Sequence, residues 1–293
     1  MRTLIFTSAF ITFTFQIQAQ DQLLSHNELI DIELKYTNLR QSSPDDAPVY
    51  QYKWKADIPI VAVGTAWSLY AFTKIYDKDR STESEIINLR KEDINGFDRW
   101  AAGNNSDAAD RNSNYLFYGS IPAPFLLFLD KDIRKDAAKV SFLYWESMAI
   151  TGLFYTGSTY FTNRYRPETY DTKLSVGDRT NGNYRNSFLA GHVALVATSV
   201  FFTAKVYGDY HPESKLKWVL YGGAIAATGS MVVFRHVAGK HFPSDLIAGT
   251  SLGVLSGLLV PHFHKNKKNV DKGLTIIPLG TGDYCGISIN YRF

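Results

Sequence analysis

FRHVAGKHFPSDLIAG, residues 234–249, joins two apolar blocks and places an arginine, two histidines and an aspartate within eleven positions. Pro243 has no N–H to lose and suits the first turn of a helix, so the block that follows reads as helical from there. His241 then stands just ahead of that helix, and Asp245 comes one turn on, within reach of the imidazole. A carboxylate on one ring nitrogen would hold the tautomer and leave the other nitrogen free to attack. Arg235, six positions before His241, closes the preceding block and brings a guanidinium fork to the same end.

Outward from this stretch the chain is a series of apolar blocks, at residues 58–76, 115–129, 140–161, 188–207, 218–234 and 246–260. Most are roughly 15 to 22 residues long, close to what crosses a hydrocarbon layer at about 1.5 Å rise per residue. The fold class expected is therefore all-α: a polytopic bundle of about six core helices, against the alternative of a compact soluble bundle. Pro122 and Pro124 interrupt the second block, Glu146 sits inside the third, and the small residues of YGGAIAATGS suit close helix packing. Residues 83–100, ESEIINLRKEDINGFDRW, read as an amphipathic helix on the membrane surface, against the alternative of an ordinary solvated connector.

The ends differ in character. Residues 1–19 have one positive charge, an apolar run and Ala19 before polar sequence, the pattern of a cleaved secretory leader. A polar tail is expected at 20–56, the helical domain at 57–261, and a basic linker with a β-hairpin at 262–293, where LTIIP and GISINYRF flank a glycine-rich turn. One hairpin cannot close a membrane barrel, so it is expected as a small appended ribbon. The 31 Lys and Arg against 28 Asp and Glu leave only +3, which points away from nucleic acid as a partner. A single cysteine, Cys285, excludes an intramolecular disulfide and a zinc site built on paired thiolates.

Two further segments put cations at block ends. In TYFTNRYRPE, residues 159–168, Arg164 and Arg166 precede Pro167, and guanidinium forks there match phosphate oxygens, although basic anchors at a membrane edge have the same composition. In NSFLAGHVAL, residues 186–195, Asn186 or Ser187 can cap a helix whose first turn holds Gly191 and His192. A glycine there lets an anion reach N–H groups already favoured by the helix dipole. His236, next to Arg235, is open to two readings, contact with the phosphate site or a solvent-facing position, and His262 with His264 form a pair too small for a metal site by itself.

Together these residues resemble the type 2 phosphatidic acid phosphatase superfamily, which includes membrane lipid phosphatases, soluble acid phosphatases and vanadate haloperoxidases. Its signature runs Lys-x6-Arg-Pro, Pro-Ser-Gly-His, then Ser-Arg-x5-His-x3-Asp. Arg166-Pro167, Gly191-His192, and Arg235, His241 and Asp245 fit in order, over residues 140–260. The chain departs at Thr159 for Lys, at Leu189-Ala190 for Pro-Ser, and at Phe234 for Ser. The resemblance implies that His241 is a nucleophile forming a phosphohistidine, that His192 protonates the leaving alkoxide, and that Asp245 orients His241. It implies Arg166, Arg235 and Gly191 as the phosphate cradle, with Arg164 and Lys240 as substitute cations, and neither metal nor cofactor.

The expected function is hydrolysis of a lipid phosphate, such as phosphatidate, a polyprenyl diphosphate or a lipid A phosphate, with membrane lipid as the other partner. A phosphatase fold that binds phosphorylated lipid without turnover is the alternative. Lysines away from the catalytic segments put the other face in the cytoplasm. The expected location is a bacterial envelope, in the inner membrane with the site facing the periplasm. A cleaved leader and six spans disagree on that orientation, and an odd number of spans or an uncleaved leader reconciles them.

Overall fold

The computed structural model describes residues 48–266 and, as backbone only, two strands at Leu274–Thr281 and Tyr284–Tyr291 paired antiparallel. The expected leader, most of the polar tail and residues 267–273 of the basic linker lie outside the described residues.

The described part is mostly helical. Six longer helices are α1 (Trp54–Tyr76), α3 (Asp107–Ser120), α5 (Ala137–Phe161), α7 (Gly191–Tyr210), α8 (Leu216–Val237) and α9 (Pro243–His264). Three short ones lie between them: α2 (Glu83–Ile87), α4 (Lys131–Lys135) and α6 (Val176–Arg179). α7 is the central element, packed on α5, α8 and α9, and Val193, Val196, Ala197, Phe202 and Val206 along it are fully buried. A helix apolar on all sides can only be satisfied inside a bundle.

Close packing of α7 against α9 follows from a glycine repeat. A Cβ on Gly249, Gly253 or Gly257 would stand 2.6, 2.2 or 2.7 Å from the carbonyl oxygen of Ala190, Ala194 or Thr198. Glycine at every fourth position thus clears a groove in which the two backbones meet. Between α5 and α7 the contact is hydroxylic: Thr151 meets Thr198 at 2.8 Å, and Tyr144 meets Ser199 at 2.7 Å. Buried hydroxyls are tolerated there because each has a partner.

One interruption foreseen in the sequence is seen, and one expectation is corrected. The second apolar block is not one helix: α3 ends at Ser120, and Ala123–Leu129 form a 3-10 turn, because Pro122 and Pro124 cannot donate to an α-helical ladder. The stretch at 83–100 is not one surface helix either. α2 ends after one turn, and Asn95 Oδ1 accepts from the Asp98 N–H at 3.0 Å, a local bond that competes with helix. That turn delivers Asp98, fully buried, to the start of α9.

α1, α8 and α9 are long and apolar enough to cross a membrane. Large apolar side chains on them face outward, among them Val63 and Leu69 of α1, Trp218 and Ile225 of α8, and Ile247 and Leu255 of α9. The first and last long helices are tied together: the Gln51 N–H donates to His264 O at 2.8 Å and the Asn266 N–H to Val49 O at 2.8 Å.

Candidate active site

Helix ends from distant parts of the chain meet at one end of the bundle. The backbone at 164–166 runs beside 184–187, with the Ser187 N–H on Arg164 O at 3.1 Å and the Arg166 N–H on Tyr184 O at 2.8 Å. α7 starts flush against α5, since a Cβ on Gly191 would lie 2.3 Å from the Tyr155 ring. After α8 the chain turns at Gly239, whose φ of 69° and approach to Asn104 O admit no side chain. This turn carries Lys240 and His241 back over the site.

A cavity of about 30 Å³ results, lined by Arg166, Gly191, His192, Arg235 and His241 together with Tyr155. Five residues singled out in the sequence, from three separate segments, thus share one small space. His241 is buried, and its Nδ1 lies 2.6 Å from Ser187 O. A carbonyl oxygen only accepts, so Nδ1 carries the hydrogen and Nε2 of the neutral ring has the lone pair. Burial first, and then the charges of Arg235 and Arg166, hold His241 well below the ordinary histidine range, which keeps that lone pair available. His192 rests against Phe117 with ring centroids 4.6 Å apart, and makes no hydrogen bond among the described residues.

The guanidinium groups are only partly satisfied. Arg235 Nη1 donates to Asp110 at 2.7 Å and Ser113 at 3.2 Å, and Arg166 reaches Glu168 at 3.4 Å and Asn183 at 3.3 Å. The Nε of both arginines is buried with no acceptor. α7 adds its own donors, because its N-terminus has no side-chain cap where the family signature has serine and this chain has Ala190. Buried, unpaired N–H groups are costly, and an anion is the partner that satisfies cationic ones together with a helix N-terminus.

Three residues stand elsewhere than the sequence suggested. Asp245 does not touch His241: its Oδ2 accepts from Ser187 Oγ at 2.6 Å and the Phe242 N–H at 2.9 Å, and its Oδ1 from Arg164. The carboxylate reaches the imidazole only through Ser187. Arg164 is not in the cavity lining but between Asp245 and Asp98, 2.6 Å from the latter, and over the Phe242 ring. Burial raises Asp98, but bonds from Ser244, Asn95 and Arg164 outweigh it and leave the carboxyl below its ordinary range. Two anions thus consume the Arg164 charge. Lys240 is paired with Glu168 at 2.7 Å, so it balances the carboxylate beside Arg166 without lining the cavity itself.

Ser187, Asp98, Asp110 and Glu168 were not read as site residues in the sequence. The Ser187 carbonyl bond leaves no residue-type signal, and Asp98 sits in a connector 66 positions from Arg164. No lysine appears at position 159. Lys78 Nζ instead donates to Thr159 O at 2.8 Å and Thr162 O at 2.6 Å, closing the C-terminus of α5. Burial and then Arg185 lower its pKa to about 8.

Two arginines, a helix N-terminus and two imidazoles around one buried cavity form a donor set that suits a phosphoryl group. The family model of the PAP2 superfamily matches residues 141–269, from α5 through α9. Its members are generally phosphatases, which supports a phosphoric ester hydrolase. Neither a curated protein nor a solved structure matches the chain.

Proposed function

We propose that the chain is a membrane-associated phosphatase that hydrolyses the phosphate of an amphiphile through a phosphohistidine on His241. The observation that carries this reading is the pair of acceptorless guanidinium Nε atoms on two arginines that line one cavity with His192 and His241. Arg166, Arg235 and the Gly191 N–H hold the equatorial oxygens. His241 Nε2 attacks phosphorus, the P–O bond to the leaving group breaks, and His192, which burial and then Arg235 and Arg166 hold neutral until the phosphate anion offsets their charge and lets it take up a proton, gives that proton to the departing alkoxide. Water then attacks phosphorus with His192 taking its proton, the P–N bond breaks, and phosphate leaves with both rings restored. Ser187 and Asp245 are positioning residues, since they act through the Nδ1 side of His241.

An amphiphilic substrate is favoured by a second, mainly apolar cavity of about 410 Å³ between α8 and α9, lined by Trp100, Val233, His236, Leu246 and Ile247. It shares α8 and α9 with Arg235 and Asp245, so a lipid tail has a place beside the phosphate. Lys53, Lys205, Lys215 and Lys265 flank the helix ends remote from the cavity, which favours a cytoplasmic remote end and an extracytoplasmic site in an inner membrane.

Thr159 and Ala190 favour a second reading, a fold that binds phosphorylated lipid without turnover. Losing one anion-stabilising donor costs about 100- to 1000-fold in turnover. Full-length protein in detergent, given phosphatidate and polyprenyl diphosphate, separates the two. Orthovanadate-sensitive phosphate release and an acid-labile phosphoenzyme, both absent in His241→Ala, support catalysis. Binding of the lipids with no release supports the second reading.

A further inference from the structure

At the end of the bundle remote from the cavity, three helices bring Asp57 of α1, Glu146 of α5 and His264 of α9 together. One ligand atom from each lies within 4.8 Å of the others, and all three residues are buried. Eighteen residues of α1 separate Asp57 from Ile75 at the cavity, about 27 Å along the helix. This cluster therefore serves no step at the phosphate site.

His264 Nδ1 lies 2.8 Å from Val260 O, an acceptor, so Nδ1 carries the hydrogen. The neutral ring then turns its Nε2 lone pair toward Asp57 Oδ1 at 3.0 Å and Glu146 Oε2 at 3.6 Å. Three acceptor atoms converge with no donor among them. A proton on Nε2 would serve Asp57, yet Glu146 Oε2 is buried without a hydrogen bond. One proton cannot answer both carboxylates at these distances.

We propose that Asp57, Glu146 and His264 form a binding site for a divalent transition-metal ion of the Zn²⁺ class, which staples α1, α5 and α9. Ligand atoms about 2.1 Å from a tetrahedral ion stand about 3.4 Å apart, close to the spacings here. The outer contacts suit such a site: the imidazole donates its second N–H to a carbonyl, and Asp57 Oδ2 accepts from the Lys53 N–H at 2.6 Å. Two carboxylates and a neutral imidazole around a divalent ion also sum to zero charge, which a buried site requires. The His-x-His pair read in the sequence thus yields one ligand, His264, and the carboxylates come from helices far away in the chain.

The test uses tag-free full-length protein in detergent, stripped with chelator and titrated with Zn²⁺, with metal content read by mass spectrometry and Co²⁺ absorption as a second probe. One saturable equivalent is expected, with a rise in Tm, tetrahedral Co²⁺ bands, and affinity at least tenfold weaker in Glu146→Gln. His264→Ala should lose binding, while His241→Ala should retain it. Glu146→Gln keeps side-chain volume, and its unchanged circular dichroism separates lost binding from misfolding. Absence of saturable binding in the wild type overturns the proposal. So does binding that survives both Glu146→Gln and His264→Ala.

Discussion

Asp245→Asn separates a carboxylate that bonds the nucleophilic imidazole directly from one that acts through Ser187. Asp245 accepts from Ser187 Oγ, the Phe242 N–H and Arg164, while the hydrogen on His241 Nδ1 is held by the Ser187 carbonyl. The substitution removes one charge and turns one oxygen into a donor facing a donor, but leaves that carbonyl in place. A hydrogen bond to a charged group contributes about 1.5–3 kcal/mol. If all of it reaches the transition state, kcat falls about 10- to 150-fold at 1.36 kcal/mol per decade. Removing a carboxylate that itself fixes the catalytic tautomer costs about 10⁴-fold in a serine-protease triad. The assay is steady-state phosphate release from phosphatidate micelles, well below the variant's own Tm. Ser187→Ala should cost a similar factor, and the double variant should lose little more than either single one, because both break the same link. A loss near 10⁴-fold in folded Asp245→Asn, or fully additive losses in the double variant, would refute the relay.

Other consequences follow from the same geometry. Arg235→Gln removes a donor aimed at the cavity and should lower kcat/KM about 100-fold or more. Arg164→Gln instead leaves Asp98 and Asp245 without their shared cation, so it should lower Tm and affect turnover mainly through position; melting curves beside kinetics distinguish them. Unfolded His241 takes up a proton below about pH 6.5, whereas the folded residue stays neutral to much lower pH. The unfolded state then binds more protons, so stability should rise with pH through that window and fall by up to about 1.4 kcal/mol per unit below it, an effect lost in His241→Asn. Gly253→Ala places a Cβ 2.2 Å from Ala194 O and should cost about 1–3 kcal/mol or more. Gly222→Ala meets nothing within 4 Å and should be neutral or stabilise by up to about 1 kcal/mol. Equal Tm changes for the two glycine variants would contradict the packing of α7 on α9.

Much of the site was legible because helix starts and stops are written locally. Pro243 opens α9 as its ring dictates, Arg235 lies in the last turn of α8, and Gly191 and His192 open α7. Once apolar periodicity places those ends, the order of the cations along the chain already brings Arg166, His192, Arg235 and His241 to one end of a bundle. The interrupted second block was equally readable from Pro122 and Pro124. The amphipathic stretch at 83–100 misled because its side-chain pattern suits a helix, while a side-chain-to-backbone bond at Asn95 and the burial of Asp98 prevent one.

Residue type and spacing by themselves determined which groups of this chain carry charge and that α9 begins at Pro243. Only the tertiary structure decided the partner of each group. Asp245 was close enough in sequence to serve His241, yet Arg164 and Ser187 occupy its oxygens, and a main-chain carbonyl takes the imidazole instead. Asp57, Glu146 and His264 came together across more than 200 residues. The physical reason is range: dihedral preference and periodicity act over a few residues, whereas a buried polar group takes whichever partner the packing of distant helices brings within hydrogen-bonding distance.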